Sequence, residues 1–205
     1  METLMEEIAE KKYKLTEEKM YCRGRTLHRI EALRDFGDED FEIEKGDKGG
    51  WIESEYNLSH RGNCWVYGDA RVYDTARVYD NACVGTCARV HDNARVYGDA
   101  LVIDNADVCH NASVYDNACV NDNVKVCDNA RVYGSAVVYE NARIYDNARV
   151  YGNAVVSDIV RVYGDASVYG DITVEGNTEV YDNAIITADI KNDNKYIICG
   201  DTRIE

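Results

Sequence analysis

The residues of this chain that could do chemistry recur at fixed intervals. His91, Cys109 and Cys127 follow one another in steps of 18, with His110 adjoining. Cys and His are zinc ligands, so the three form a weak candidate metal set. Stacked as strands about 4.8 Å apart they would spread over about 10 Å, and a tetrahedral site would need the imidazole to reach along the column. A Cys109–Cys127 bridge is within reach but disfavoured in a reducing compartment. The bland account is that Cys replaces an aromatic residue in a ladder. A second series sets Arg77, Arg95, Arg131 and Arg149 two residues before Tyr79, Tyr97, Tyr133 and Tyr151, and Tyr115 and Tyr169 complete the tyrosine column. Guanidinium beside an aromatic face suits a planar or anionic ligand. The same ladder could serve only to stabilise stacking.

The element that must position these residues is a repeat. From Val66 an aliphatic residue returns every sixth position to Ile186, across 21 hexads, with only Ile144 and Ile186 in place of Val. Four residues after each comes a small residue, usually Ala, and the unit reads Val-Tyr-Asp-Asn-Ala-Arg. A helix would need a period near 3.6. In a strand alternate side chains share a face, so Ala and Val point inward while Arg and Tyr point outward. The Asp-Asn or Gly-Asp that follows is turn chemistry, since these residues tolerate a left-handed backbone. One short strand and one corner per hexad predict an all-β solenoid with three sides and 18 residues per coil.

The pattern resembles the hexapeptide-repeat left-handed parallel β-helix family, over residues 61–190. The resemblance implies about seven coils, or a rod of roughly 34 Å. Gly49-Gly-Trp-Ile-Glu53 and Gly62-Asn-Cys-Trp-Val-Tyr67 resemble the entry segment of uncharacterised bacterial and prophage members, often labelled transferase-like on fold alone. Residues 1–60 are expected to form a small α/β cap. Met1, Leu4, Met5 and Ile8 have helical spacing, and Thr26–Leu33 alternates as a strand. Residues 191–205 should close the other end, because an uncapped solenoid invites end-to-end polymerisation.

Because the register is unbroken, the three faces can be written out. Face A turns Trp65, Leu101, Ile103, Val137, Tyr139 and Val155 outward, with Ile159 at its corner, and has neither Arg nor Lys. So apolar a strip should be covered, by the Met1–Ile8 helix or, the favoured reading, by other copies of the chain in a homo-oligomer. Face B carries the His91, Cys109, Cys127 column beside Arg71, Arg89, Asp107, Lys125, Arg143 and Arg161, and face C carries the Arg/Tyr ladder.

Charge narrows the function. The 205 residues hold 23 Lys+Arg against 38 Asp+Glu, a net −15, which argues against direct nucleic-acid binding. Neither a membrane span nor a leader is expected, since Met1 opens into Glu2, Glu6 and Glu7. Eight Cys without a CxxC pair fit reduced thiols and a cytoplasmic location. No cofactor is called for: there is no phosphate-cradling loop, and Asp104, Asp122, Glu140 and Asp158 lack a calcium-loop pattern. The expectation is a non-catalytic acidic binding protein. The resemblance makes it phage-encoded, and it would occupy a host macromolecule with a basic surface, in counter-defence or nucleic-acid mimicry. The alternative implied by the resemblance is an oligomeric coenzyme A-dependent acyltransferase using His91 or His110 at a subunit interface. The hexads, however, run without the loop excursion such enzymes usually carry.

Overall fold

The computed structural model describes residues 11–37 and 41–205. It is a three-sided β-solenoid in which most rod strands are two-residue units ending in an inward Val or Ile, such as Arg71–Val72, Arg77–Val78 and Cys83–Val84. Each pairs in parallel with the unit 18 residues away, as in Arg95↔Arg77 and Arg95↔Ser113. Face C is a sheet of eight strands ending with Arg203–Ile204. The rod therefore has about eight coils, one more than the hexads alone give, because Ile190–Ile198 and Arg203–Ile204 each stack on the coil before them. Faces A and B join into one 17-stranded sheet. The join is Thr173–Val180, which runs across a corner and pairs with both Val155–Val156 and Arg161–Val162.

The core is a stack of identical layers. Val66, Val84 and Val102 on face A, their counterparts on the other faces, and Ala70 through Ala184 are all buried. Small residues are required where the chain turns inward at a corner, since three corners share one narrow interior. Val124 and Val160 fit there too, fully buried.

The corners explain the Asp-rich composition. The first corner residue has positive φ throughout, 55–62° at Asp80, Asp92, Asp116, Asp128, Asp146 and their equivalents, or is Gly. Asp does more than tolerate that backbone. Its Oδ2 accepts the backbone N–H of the equivalent residue one coil on: Asp92 from His110 at 3.1 Å, Asp116 from Gly134 at 3.2 Å, Asp158 from Gly176 at 2.7 Å. These carboxylates are structural as well as solvated.

The first coil is sealed by an antiparallel sheet. Strands β1 (Tyr13–Cys22) and β2 (Arg25–Ala32) form a hairpin, β2 pairs antiparallel with β5 (Lys48–Ile52), and β5 pairs parallel with Arg71–Val72. Between them β3 (Phe36–Gly37) and β4 (Glu42–Ile43) form a short ribbon. Tyr13 donates its hydroxyl to Leu58 O at 2.7 Å and stacks on His60, and the Phe36 ring meets Trp65 edge-on at 5.3 Å. Lys12 is fully buried beneath this sheet, donating to the carbonyls of Gly62 and Cys64, and burial holds its ammonium below the usual range. The helix expected at Met1–Ile8 lies outside the described residues. What is described of the cap is strand, apart from a 3₁₀ turn at Glu55–Asn57. No helix among the described residues is long and apolar enough to cross a membrane.

The corner chemistry is testable at Asp116. Asp116→Asn keeps an oxygen acceptor and tolerates positive φ, so thermal unfolding should change little. Asp116→Val should cost roughly 2–3 kcal/mol, the sum of a left-handed backbone for a branched residue and one lost hydrogen bond. Equal melting temperatures for the two variants would contradict the corner account.

Candidate functional site

The tyrosine column of face C is continuous. Tyr79, Tyr97, Tyr115, Tyr133, Tyr151 and Tyr169 stack at centroid spacings of 4.7–4.9 Å with planes within 11° of parallel. That spacing is the coil rise, so backbone pairing sets it and the rings follow. Burial pushes the phenols of Tyr79, Tyr97, Tyr115 and Tyr151 up, so these rungs stay uncharged at neutral pH. Arg77, Arg95, Arg131 and Arg149 are exposed alongside. Arg77 lies over the rings of Tyr56 and Tyr79, at 5.0 and 5.6 Å.

On the other side of the arginines runs a column that sequence reasoning read only as turn residues. Asn93 donates to Asn111, Asn111 to Asn129, Asn129 to Asn147 and Asn147 to Asp165, at 3.0–3.1 Å. The signal was present as Asn in the second corner position at steps of 18. Between amides and guanidiniums lies a groove of about 460 Å³, touching Asn93, Asn111, Asn129, Arg95, Ser113 and Arg131.

Face A departs from expectation at its first rung. Trp65 is 1 % exposed, because the cap covers it with Tyr13 and Phe36, so it is core and not an interface residue. Tyr67 lies across Gly85, where a side chain would collide with its ring, and meets Phe41 at 5.5 Å. Leu101, Ile103, Val137, Tyr139 and Val155 are half-buried, and Ile159 is 50 % exposed.

Face B gathers its ionisable groups differently from a metal site. His91 is buried, with Nδ1 3.1 Å from Asp92 Oδ2 and Nε2 3.1 Å from Asp107 Oδ1, and its ring stacks on Tyr73 at 5.0 Å. Asp107 also pairs with Arg89 at 3.3 Å. Burial works against the Asp107 carboxylate, but the His91 hydrogen bond and the Arg89 charge outweigh it and hold the group below the usual range. Ligand atoms of His91, Asp92 and Cys109 lie within 4.8 Å of one another. Cys109, however, is joined to Cys127 in a disulfide, the bridge that the assumption of a reducing compartment disfavoured. The set of His91, Cys109 and Cys127 thus becomes a hydrogen-bonded imidazole over a disulfide, whose sulfurs offer no thiolate while the bridge is intact.

Two stretches, residues 124–140 and 142–158, match the family described as YdcK Beta solenoid repeat. They are consecutive coil-length segments of the rod, and the chain carries β-solenoid repeats. No curated protein matches the chain.

The Asp107 network gives a signed pH dependence. A depressed carboxylate contributes stability that is complete above its unfolded value, near pH 4, and is lost as pH falls through the folded value. The gap in melting temperature between wild type and Asp107→Asn should be full at neutral pH and shrink steadily below about pH 4. A gap that stays constant down to pH 2 would contradict the network.

Proposed function

We propose that this chain is a non-catalytic binding protein, a rigid acidic rod that occupies a basic surface on a macromolecular partner. The observation that carries the reading is the fixing of the corner carboxylates. Asp80, Asp116 and Asp182 on separate coils, like Asp92, Asp128 and Asp146, each spend one oxygen on a backbone N–H of the next coil. The groups stand in columns at one or two coil rises, with Gly98 between Asp80 and Asp116 and His110 between Asp92 and Asp128. An array of anions held in place by backbone needs no ordering when a cationic groove closes on it, and it steers a basic partner at long range. Residues 61–190 hold 19 Asp+Glu against 10 Lys+Arg, so the rod itself is acidic. Mimicry of nucleic acid fits such an array, and the resemblance to prophage proteins favours a host target, including a defence nuclease.

The second reading, acyl transfer from a coenzyme A thioester, draws on His91, whose ring is oriented by Asp107 as a general base would be. The same bonds occupy both nitrogens and leave the residue 6 % exposed. Thiol release from acetyl-CoA in the presence of bacterial lysate amines tests it. No release above the rate without protein is expected, and turnover lost in His91→Gln would move the assignment to the transferase.

For the leading reading, immobilised protein should retain basic proteins from lysate at about 50 mM salt and release them by about 500 mM as screening sets in, with duplex DNA competing. Capture indifferent to both salt and DNA would contradict it.

Self-association belongs to the same proposal. With Trp65 covered by the cap, the face offered is Leu101, Ile103, Val137, Tyr139, Val155 and Ile159, a strip that soluble monomers rarely leave open. Leu101→Glu with Val137→Glu should dissociate the oligomer in light scattering while the β signal in circular dichroism persists. Wild type that is monomeric at tens of micromolar would end this part of the proposal.

A further inference from the structure

The aromatic column of face B has a gap. It begins with Tyr73 stacked on His91 and ends with Tyr145, Tyr163 and Tyr181 stacked at 4.8 Å. Between them the rungs are Cys109 and Cys127, whose Cα atoms are 4.8 Å apart. Strand register is unbroken through the gap, since Val126 pairs with Ile144 and Val108 with Val126. Nothing has shifted, and two rings are simply replaced by two small side chains. Tyr145 stacks on Tyr163 with one face of its ring, and its other face looks over Cys127. A cleft of about 420 Å³ opens there, touching Lys125, Cys127, Asp128, Arg143, Tyr145 and Arg161.

The cleft is basic on an acidic molecule. Lys125, Arg143 and Arg161 follow one another up the outward column at the coil rise. Arg161 is paired with Glu179 at 3.2 Å. Lys125 and Arg143 are exposed and form no ion pair among the described residues; the nearest acid in their column, Asp107, is committed to Arg89 and His91. Asp128, the only acid of the cleft, is engaged by His110 at 2.8 Å and by the N–H of Asp146 at 3.3 Å. Repulsion between neighbouring cations is relieved elsewhere along this column by Asp107 and Glu179, but not between Lys125 and Arg143.

We infer that this cleft binds a planar heteroaromatic ring bearing a phosphate, with the ring stacked on Tyr145 in the place of the missing rung and the phosphate held between Lys125 and Arg143. A nucleoside monophosphate has both parts. Stacking on a tyrosine accepts any nucleobase because each has a π face, and a guanidinium beside an ammonium is a phosphate site. A volume of this size suits a ligand of that kind. The rod's net charge does not oppose it at physiological salt, where charges beyond about 8 Å are screened. This site is separate from the carboxylate edges, so it stands or falls independently of the proposed macromolecular partner.

Isothermal titration of the full chain with adenosine 5′-monophosphate tests the inference, with adenosine and inorganic phosphate as separate arms. The monophosphate should bind more tightly than either part alone. Lys125→Gln with Arg143→Gln, both exposed positions, should weaken it at least about tenfold, the usual consequence of losing charged hydrogen bonds. Cys127→Tyr should complete the ladder and abolish binding, whereas Cys127→Ser, which removes the disulfide equally but leaves the gap open, should still bind. Absence of heat at about 5 mM ligand, far above ordinary site affinities, would overturn the inference. So would inorganic phosphate binding as well as the nucleotide, or nucleotide binding that survives both Cys127→Tyr and the double glutamine variant.

Discussion

Everything in this molecule depends on one backbone constraint: the outward strand residues and the second corner residues donate their N–H groups to carbonyls one coil ahead, while corner alanines such as Ala94 close back on their own turn. Asn93 donates to His110 O at 2.8 Å, Arg95 to Ala112 O at 3.0 Å and Tyr97 to Val114 O at 3.1 Å, and the pattern continues along the rod. Because no hexad is lengthened or shortened, every residue stands over the residue 18 positions away. The chain has no local freedom to choose its neighbours. Absence of Pro follows from the same demand, since each position must donate.

A column of identical groups is an asset or a cost according to chemistry. Tyr over Tyr gains ring contact, and Asn over Asn gains a hydrogen bond between side-chain amides, so both columns run long. Arg over Arg and Asp over Asp repel at about 4.8 Å. The arginine columns are therefore interrupted, by Ser113 and Ser167 on face C and by Asp107 and Glu179 on face B. Stacked Asp residues are tolerated where the carboxylate is tied to a backbone N–H of the next coil, as at Asp74, Asp92, Asp122 and Asp128. Where Glu140 stands beside Asp158, the hydrogen bond between them pushes the Glu140 carboxyl above its usual range. On face B the stacked cations Lys125 and Arg143, which form no ion pair among the described residues, stand beside the break in the aromatic stack. That juxtaposition marks the cleft at Tyr145.

The solenoid was legible because an aliphatic residue every six positions admits no helix and no flat sheet. The inward and outward assignments, the tyrosine ladder and the coil length all come from that period. The cap was less legible: Thr26–Leu33 reads as a strand and is one, as Arg25–Ala32, but nothing in its pattern tells that it pairs antiparallel and then hands a parallel edge to Arg71–Val72. Trp65 was misplaced for the same reason. Its outward position in the repeat is sound, yet periodicity cannot tell which rung lies under the cap. The Asp-to-backbone bonds were hidden because turn preference already accounts for Asp at positive φ. The Cys109–Cys127 bridge was within reach by the step of 18 and was set aside only by an assumption about compartment.

The inter-coil register is tested most directly by two deletions compared in thermal unfolding. Removing residues 146–163, one whole coil, places Gly164 where Asp146 stood and leaves every column aligned, so a shorter rod should fold and unfold cooperatively. Removing only 146–154, half as many residues, moves every downstream valine by half a hexad and turns it out of the core. The account predicts that the larger deletion is tolerated while the smaller abolishes cooperative unfolding. Comparable stability of the two, or loss of folding in the larger alone, would contradict it.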